Sequence, residues 1–271
     1  MKLSSLRKLS PAPAIYVALL MVPIYWLLIM SFKTNAEIGG GLTLFPHNPT
    51  LANYKAILSD PSWYMGYVNA AIYVSMNVVI SIAVAIPAAY AFSRYRFFGS
   101  RTLFFWFLAF RMMAPPILLV PFVQIFSEFQ LIDTHIAVAI AHCFFNVPIA
   151  IWILEGFMSS VPREMDENAK ADGYGVIGFF TRILLPQIAP GIAATAFFCF
   201  MFSWIEMLLA NALTTVHAKP ISAIMSRAGS VLSANIALLS AASVLTLIPG
   251  IILVIFVRNH LARGLSMGQV R

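Results

Sequence analysis

Six stretches of the sequence are long, apolar and almost free of charge, and this feature constrains the fold more than any other. The stretches at residues 9–32, 61–93, 134–154 and 228–257 contain no Asp, Glu, Lys or Arg, while those at 102–127 and 183–218 contain one charged residue each, Arg111 and Glu206. A helix needs about 20 mostly apolar residues to cross the hydrocarbon core of a bilayer. We therefore predict an all-α membrane protein with six transmembrane helices. The predicted helices comprise residues 12–32, 67–92, 102–125, 135–158, 187–211 and 236–258.

The composition excludes a water-soluble protein. Of the 271 residues, 61% are hydrophobic and 10% are charged, against about 45–50% and about 25% in a typical soluble domain. A disordered chain and a nucleic-acid-binding module are excluded on the same ground, and the net charge of +7 is assigned to basic loops. Cys143 and Cys199 lie in apolar stretches and are expected to be buried thiols. The five histidines are scattered, so no metal site is predicted.

Lys and Arg residues accumulate in the loops on one side of the predicted bundle. That side, which includes both termini, holds twelve of the 17 basic residues, whereas the opposite side holds four. Because cytoplasmic loops carry the excess of Lys and Arg in membrane proteins, both termini are predicted to be cytoplasmic. The first helix is predicted to be retained, since its apolar run exceeds that of a signal peptide and no small-residue cleavage site follows. The twelve residues are Lys2, Arg7, Lys8, Arg94, Arg96, Arg101, Arg163, Lys170, Arg182, Arg258, Arg263 and Arg271.

The cytoplasmic loop between the fourth and fifth helices, residues 159–186, differs from the other loops. Pro162 suits the first turn of a helix, and the acidic residues after it interact favourably with the helix dipole. Gly173 and Gly175 are expected to end this helix. The sequence therefore predicts a cytoplasmic helix of about ten residues, with a solvated connector as the alternative. The loop contains four of the ten acidic residues of the chain, namely Glu164, Asp166, Glu167 and Asp172.

The same loop resembles the EAA loop of binding-protein-dependent ABC importer permeases. That loop has the pattern Glu-Ala-Ala, three residues, Gly, nine residues and Ile-x-Leu-Pro. This chain keeps the spacing throughout and departs at Asn168, where the pattern has Ala. The resemblance implies that the loop is a coupling helix that binds ATPase subunits. The residues implied are Glu167, Asn168, Ala169, Asp172, Gly173, Ile183, Leu185 and Pro186.

Further segments are similar to the carbohydrate-importer subgroup of that family, which includes maltose, glycerol and glycerol-phosphate permeases. Ile205 replaces the Asn of the usual Trp-Asn-Glu motif in one of them, and the resemblance extends over nearly the whole chain. The segments are residues 89–97 (AYAFSRYRF), 113–116 (MAPP), 131–134 (LIDT), 203–206 (SWIE) and 263–268 (RGLSMG).

The resemblance implies a single ABC importer transmembrane domain over residues 1–271. Its core bundle would comprise about residues 67–258, and its EAA-type loop residues 159–186. The implied partners are a second permease subunit, two ATPase subunits and an extracytoplasmic solute-binding protein, in a bacterial inner membrane. A heterodimer of permeases is expected, and a homodimer stays open.

The chain contains no G-x-x-x-x-G-K-[ST] phosphate-binding loop. ATP and Mg²⁺ are therefore expected on separate ATPase subunits. No catalytic residue, cofactor or metal ligand is predicted on this chain.

Polar side chains within the predicted helices are candidates for a solute path. A carboxylate at Glu206 beside the Trp204 indole suits a polyhydroxylated solute, because the acid accepts hydroxyl hydrogen bonds and the ring packs on C–H faces. Arg111 lies just before two prolines that free backbone groups. The alternative is that these residues hold helices together. The candidates are Glu206, Trp204, Arg111, Asn211, Asn77 and Gln124.

The substrate class follows from the resemblance alone and is a sugar or a small polyol such as glycerol. An oligosaccharide or glycerol phosphate stays open. A secondary transporter or channel that acts without ATPases is the main alternative function. A membrane-embedded enzyme is a further alternative, but His135 and His142, which share a helix face, have no carboxylate at ligand spacing.

Overall fold

The computed structural model describes residues 11–229 and 235–267. All regular structure in these residues is helical. The basic residues Lys2, Arg7, Lys8 and Arg271, and Gly268 of the tail segment, lie outside the described residues. The helices are α1 (Pro11–Ser31), α2 (Asn35–Gly39), α3 (Ala52–Ser59), α4 (Pro61–Arg94), α5 (Ser100–Arg111), α6 (Pro115–Glu128), α7 (His135–Ser159), α8 (Glu164–Ala171), α9 (Val176–Phe179), α10 (Leu185–Gln187), α11 (Ala189–Ile205), α12 (Leu208–Leu213), α13 (Ile221–Gly229) and α14 (Ile236–Met267), with a π-helical turn at Phe180–Leu184.

Four to six helices of the described chain are long and apolar enough to cross a membrane. Helices α1, α4, α7 and α14 qualify singly, and the number rises to six if each of two bent helix pairs counts as one span. The predicted first, second, fourth and sixth spans therefore correspond to single helices. Helices α4 and α14 extend beyond the predicted bounds, to Pro61 and Met267.

The prediction of one continuous helix over residues 102–125 is wrong. Helices α5 and α6 meet at an angle of 94°. The break falls at 112–114, directly before Pro115 and Pro116, and Ala114 has an extended backbone with ψ of 130°. A residue that precedes proline is pushed out of the helical region, so the proline pair dictates the break.

The fifth predicted span, residues 187–211, is also interrupted. The segment Val176–Gln187 meets α11 at an angle of 79°, and Pro190 lies in the first turn of α11. Helix α11 ends at Ile205, where Glu206 adopts an extended backbone before α12 begins. The span is therefore shorter than predicted.

The short helix between the fourth and fifth spans is present as α8. It has eight residues instead of about ten. Gly173 has a φ of +81°, a conformation that glycine adopts without steric cost. The predicted stop at Gly173 is confirmed.

The chain divides into two compact units. The first comprises Met1–Tyr64 and Met225–Ile248, and the second comprises Met65–Ile224 and Pro249–Arg271. In the first unit, Lys33 is 1% exposed, and its Nζ donates to the carbonyl and hydroxyl oxygens of Thr43, both at 2.6 Å. Asn53 on α3 donates to the carbonyls of Ser31 and Lys33, which ties α3 to the end of α1. The single-domain arrangement stays a prediction.

The second unit contains the main core, which lies between α4, α7 and the segment around α8. Ala85 and Ala89 of α4 and Leu154 and Met158 of α7 are fully buried there. The small residues on α4 allow close approach of the neighbouring helices. Ala169 of α8 joins the same cluster, so the short helix is packed against the bundle.

Replacement of Gly66 by alanine is expected to destabilise this unit. A Cβ at Gly66 would lie 2.6 Å from Ile224 Cδ1 and 3.0 Å from Ile221 Cα. The second atom belongs to the backbone, so relieving the contact requires the neighbouring helix to shift. Overpacking of this kind costs about 1–3 kcal/mol. The melting temperature in detergent, followed by tryptophan fluorescence, would report the loss. Gly156→Ala is the control, because a Cβ there meets no atom within 4 Å. Equal melting temperatures for the two variants would contradict the prediction.

Candidate functional site

A buried ion pair joins α8 to the end of α4. Arg94 donates from Nε to Asp166 Oδ2 at 2.8 Å and from Nη2 to Asp166 Oδ1 at 3.2 Å, which is the bidentate geometry of a strong charged pair. The two side chains are 6% and 12% exposed. Tyr90 also donates to Asp166 Oδ2 at 3.0 Å, and Arg94 Nη1 donates to the Met158 carbonyl at 3.2 Å. We call Tyr90, Arg94, Met158 and Asp166 the α8 anchor.

Two further hydrogen bonds fix the segment between α7 and α8. Arg163 Nη2 donates to the Ser93 carbonyl at 3.2 Å. Ser159 Oγ and Ser93 Oγ lie 3.2 Å apart, within hydrogen-bond distance. Together with the α8 anchor, they hold α8 on the ends of both α4 and α7.

The two faces of α8 differ in exposure. Asp166 and Ala169 face the bundle, at 9% and 3% exposure. Glu167, Asn168 and Asp172 are exposed. Of the predicted coupling residues on this helix, Ala169 therefore packs within the chain, while the charged and amide side chains remain accessible.

A surface cavity of about 380 Å³ lies beside the exposed face of α8. Four of the predicted coupling residues line it, three from the α8 segment and one from further along the chain. These are Asn168, Ala169, Asp172 and Ile183, and Pro162, Glu164 and Met165 complete the lining. Gly173 and Pro186 are exposed nearby in the sequence, and Leu185 is half-buried.

An asparagine pair links three helices within the apolar bundle. Asn146 Nδ2 donates to Asn77 Oδ1 at 2.6 Å and to the Cys199 carbonyl at 3.1 Å. Asn77 Nδ2 donates to the Ala139 carbonyl at 3.0 Å. Both side chains are fully buried; Asn77 links α4 to α7, and Asn146 extends the link to α11.

A second buried network surrounds His142 on α7. Its Nδ1 lies 2.6 Å from Ser203 Oγ, and its Nε2 lies 3.0 Å from Glu206 Oε2. His142 and Ser203 are fully buried, and Glu206 is 9% exposed. Sequence spacing did not indicate a carboxylate near His142, because Glu206 is 64 residues away.

Glu206 also caps α12. Its carboxylate accepts hydrogen bonds from the backbone N–H groups of Leu208, Leu209 and Ala210 at 2.8–3.3 Å. Trp204 is 7% exposed and stacks on Phe200, with ring centroids 5.5 Å apart. The oxygens of Glu206 are thus occupied by this chain, and the predicted solute contacts of Glu206 and Trp204 stay predictions.

The remaining path candidates are more accessible. Arg111 is half-buried and lies over the Phe202 ring at 4.6 Å from the centroid. Gln124 is exposed and lines an open concavity of about 570 Å³ with Val123, Ser127 and Glu128. Asn211 is half-buried. The structure thus does not bring the six candidates to one common surface.

Asp133 organises a loop at the opposite end of the bundle from α8. It has a φ of +64°, and its carboxylate accepts hydrogen bonds from the backbone N–H groups of residues 215–218 at 2.9–3.2 Å. Partial burial opposes ionisation, but these N–H donors outweigh it and hold the pKa of the Asp133 carboxyl well below its usual range. Asn69 supports the same loop, donating to the carbonyls of His217 and Lys219. We call residues 215–218 with Asp133 and Asn69 the Asp133 clasp.

No group of three His, Cys, Asp or Glu side chains in residues 11–229 and 235–267 is suited to hold a metal ion. Cys143 and Cys199 are buried free thiols, as predicted.

The described chain thus combines apolar helices of membrane-span length with a short charged helix that packs on the bundle on one side and is exposed on the other. The sequence profile of the family described as binding-protein-dependent transport system inner membrane component matches residues 78–267. The chain belongs to this family, and the predicted membership of the binding-protein-dependent importer permeases is confirmed.

Individual relatives extend over almost the full chain. The trehalose/maltose transport system permease protein MalG of Thermococcus litoralis is 30% identical, with 95% of this chain and 94% of the relative covered. The sulfoquinovosyl glycerol transport system permease protein SmoH of Agrobacterium fabrum is 27% identical, with 99% and 96% covered.

A solved structure shares the fold. In the crystal structure of a bacterial ABC transporter involved in the import of the acidic polysaccharide alginate, one chain superposes with a TM-score of 0.77 at 21% identity. The match covers 92% of this chain and 94% of the other.

Proposed function

We propose that this chain is one permease subunit of an ATP-driven importer and forms half of the path for a sugar or a small polyol such as glycerol. Family membership supports the importer, and the relatives named for trehalose/maltose and sulfoquinovosyl glycerol support the solute class. The observation that carries the mechanism is the α8 anchor, which fixes α8 to the bundle while Glu167, Asn168 and Asp172 stay exposed.

Helix α8 transmits the closure of the ATPase subunits to the membrane helices. A short helix can transmit a displacement only if it is firmly attached to the helices that it moves. The α8 anchor supplies that attachment through a bidentate ion pair and the Tyr90 hydroxyl. Helices α4 and α7 then move with α8 as a semi-rigid body. ATP and Mg²⁺ are bound by the ATPase subunits, and this chain catalyses no reaction.

We place both termini and α8 in the cytoplasm of a bacterial cell, with the chain in the inner membrane. The excess of Lys and Arg on that side supports this orientation. The four to six candidate spans support a multi-pass arrangement, which we take as six.

A second permease subunit completes the path. In the most apolar window of α1, only 11% of the residues are buried within this chain, and in that of α14 only 17%. In a bilayer, the exposed surfaces of α1 and α14 can contact lipid or a partner permease. The proposed solute path needs a second half, and the resemblance to carbohydrate importers favours a heterodimer.

Arg111 and Gln124 are the path residues that we favour for solute contact. A charged side chain inside a span faces a cavity or a partner, and Arg111 has a ring contact but no hydrogen bond or ion pair within the described chain. Guanidinium and amide groups donate hydrogen bonds to hydroxyl oxygens. Asn77 links α4 to α7, and Glu206 caps α12. Both residues therefore hold in place the helices that we propose to line the path.

Co-purification from native membranes in mild detergent tests the proposal. A second permease and an ATPase are expected to accompany the chain. Glu167→Arg is expected to reduce the amount of bound ATPase by about tenfold or more, because reversing a charge at an interface costs more than 1.4 kcal/mol. Glu128→Arg, an exposed glutamate at the other end of the bundle, is the control and should retain the ATPase.

Two results would overturn the proposal. One is a chain that purifies alone from native membranes with Glu167 intact. The other is solute movement in liposomes by the chain without ATP, which would establish a secondary transporter or channel instead.

A further inference from the structure

The loop between α4 and α5 joins two helices that the proposed arrangement places in the bilayer. Helix α4 ends at Arg94 and α5 begins at Ser100, so five residues join two segments that enter the bilayer. Five residues span at most about 17 Å, which keeps the loop close to the headgroups. Its turn is tight, because Ser100 N donates to the Phe97 carbonyl at 3.1 Å and Gly99 has a φ of +78°.

Three aromatic side chains of this loop are exposed. Phe98, at the apex of the turn, is 107% exposed, Tyr95 is 58% exposed and Phe97 is 41% exposed. The exposed apolar surface continues onto α5 at Phe105 and Trp106. Exposure of this size is unfavourable in water, whereas aromatic rings are enriched at the membrane–water interface.

Two arginines flank the aromatic apex. Arg96 and Arg101 are exposed and have no hydrogen bond or ion pair within residues 11–229 and 235–267, in contrast to Arg94, which is held in the α8 anchor. Glu155 lines a cavity of about 180 Å³ with Arg101 and accepts a hydrogen bond from Ser159 at 2.7 Å. Arg101 therefore shares the lining of this cavity with a carboxylate, and we take Arg96 as the principal cation of the loop.

We propose that residues 95–101 bind the headgroups of anionic phospholipids. Phe98 inserts at the boundary of headgroups and acyl chains, and Arg96 and Arg101 donate to lipid phosphate oxygens. The inference rests on the proposed function for the cytoplasmic orientation of the loop and for the ATPase readout used below.

Lipid binding at this loop is linked to the α8 anchor. The Tyr95 ring lies 6.2 Å from the Tyr90 ring, edge to face, and Tyr90 donates to Asp166. Arg94, which pairs with Asp166, is two residues before Arg96. A lipid that orders the loop therefore also orders the end of α4 that holds α8, and we expect it to raise the coupling of ATP hydrolysis to solute.

The test uses the whole complex of both permeases, the ATPases and the solute-binding protein, reconstituted in nanodiscs. Solute-stimulated ATPase activity is measured as phosphatidylglycerol replaces phosphatidylcholine. The wild type is expected to gain activity with phosphatidylglycerol. Arg96→Gln is expected to shift the half-maximal phosphatidylglycerol fraction about fivefold upward. The double variant Arg96→Gln with Arg101→Gln should lose the response and keep the activity seen in phosphatidylcholine.

Arg258→Gln is the matched control, since Arg258 is an exposed arginine of α14 on the same predicted side. It should respond to phosphatidylglycerol as the wild type does. Native mass spectrometry of the detergent-solubilised complex supplies a direct readout. Fewer retained phosphatidylglycerol molecules are expected for Phe98→Ser and for the double arginine variant than for Arg258→Gln.

Three outcomes would overturn the lipid site. In the first, the activity of the wild type does not respond to phosphatidylglycerol. In the second, Arg258→Gln loses the response as fully as the double variant, which indicates an effect of the overall membrane charge and not of this loop. In the third outcome the double variant lowers activity equally in both lipids, which indicates that the loop contacts a protein partner. Absence of solute-stimulated activity in every lipid composition would instead count against the proposed function.

Discussion

Replacement of Asp166 by alanine is expected to abolish solute-stimulated ATPase activity while the chain still inserts and still binds the ATPase. The change leaves the Arg94 guanidinium, 6% exposed, without its carboxylate, and it removes the acceptor of the Tyr90 hydroxyl. Removal of one partner from a buried ion pair costs about 3 kcal/mol. Helix α8 then remains bound to the ATPase through its exposed face but no longer moves α4 with it.

Two measurements separate this effect from loss of docking. Co-purification of the ATPase should be unchanged in Asp166→Ala and lost in Glu167→Arg, since Asp166 faces the bundle and Glu167 faces outward. Solute-stimulated activity should be low in both. Loss of bound ATPase in Asp166→Ala would contradict the assignment of Asp166 to the anchor.

A double-mutant cycle tests the ion pair itself. Arg94→Leu combined with Asp166→Leu removes both charges, and replacement of a buried pair by apolar residues is often tolerated. The double variant should therefore be more stable to heat than Asp166→Leu alone. Additive losses from the two single variants would show that the two side chains do not interact.

The four unbroken membrane-length helices were predictable because the requirement is one of length and polarity alone. An apolar run such as residues 134–154 has one low-energy conformation in lipid, a helix that satisfies its own backbone. The stop of α8 was predictable for a similar local reason, since Gly173 occupies a backbone conformation that few other residues adopt.

The breaks within the third and fifth spans were harder to predict. Pro115 and Pro116 marked the first break, but a proline inside a span can also kink a continuous helix, as Pro87 within α4 and Pro148 within α7 show. The break at Glu206 depends on where its carboxylate finds donors, at the N-terminus of α12 and at His142. Such a tertiary contact leaves no local pattern.

The residues of the α8 anchor were missed for the same reason. Asp166 was noted only as one acid among four, and its partner Arg94 is 72 residues away. The spacing of Asp166 and Ala169 places both on one helix face, which is the signal that would have separated Asp166 from the exposed Glu167. The EAA pattern identified the helix, whereas the structure shows which of its faces packs against the bundle.

Replacement of Asp133 by asparagine is the second change with a large expected effect. Asparagine tolerates the φ of +64° and keeps the size of the side chain, so the variant removes the charge without adding backbone strain. It loses one acceptor oxygen to an NH₂ group that repels the N–H groups of residues 215–218. Because the carboxylate is partly solvated, we expect a loss of about 2 kcal/mol rather than the sum of its hydrogen bonds.

Hydrogen–deuterium exchange of the amides at residues 215–218 measures this loss directly. Exchange should be about tenfold or more faster in Asp133→Asn, because local opening becomes easier. Amides in α7 that lie away from the Asp133 clasp, such as that of Ile151, serve as the internal reference and should not change. Unchanged exchange at 215–218 would show that Asn69, through its bonds to His217 and Lys219, holds the loop without Asp133.

The pH dependence of the Asp133 clasp has a definite sign. The folded-state pKa of Asp133 lies below its ordinary value of about 4 because of its backbone N–H donors. The stabilisation is therefore fully present above pH about 4 and is lost as the pH falls through the lower folded-state pKa. Protection of residues 215–218, corrected for intrinsic exchange, should be constant from pH 7 to about 5 and should decline only in stronger acid. Asp133→Asn should show no such decline, and loss of wild-type protection between pH 7 and 5 would assign the clasp to another titrating group.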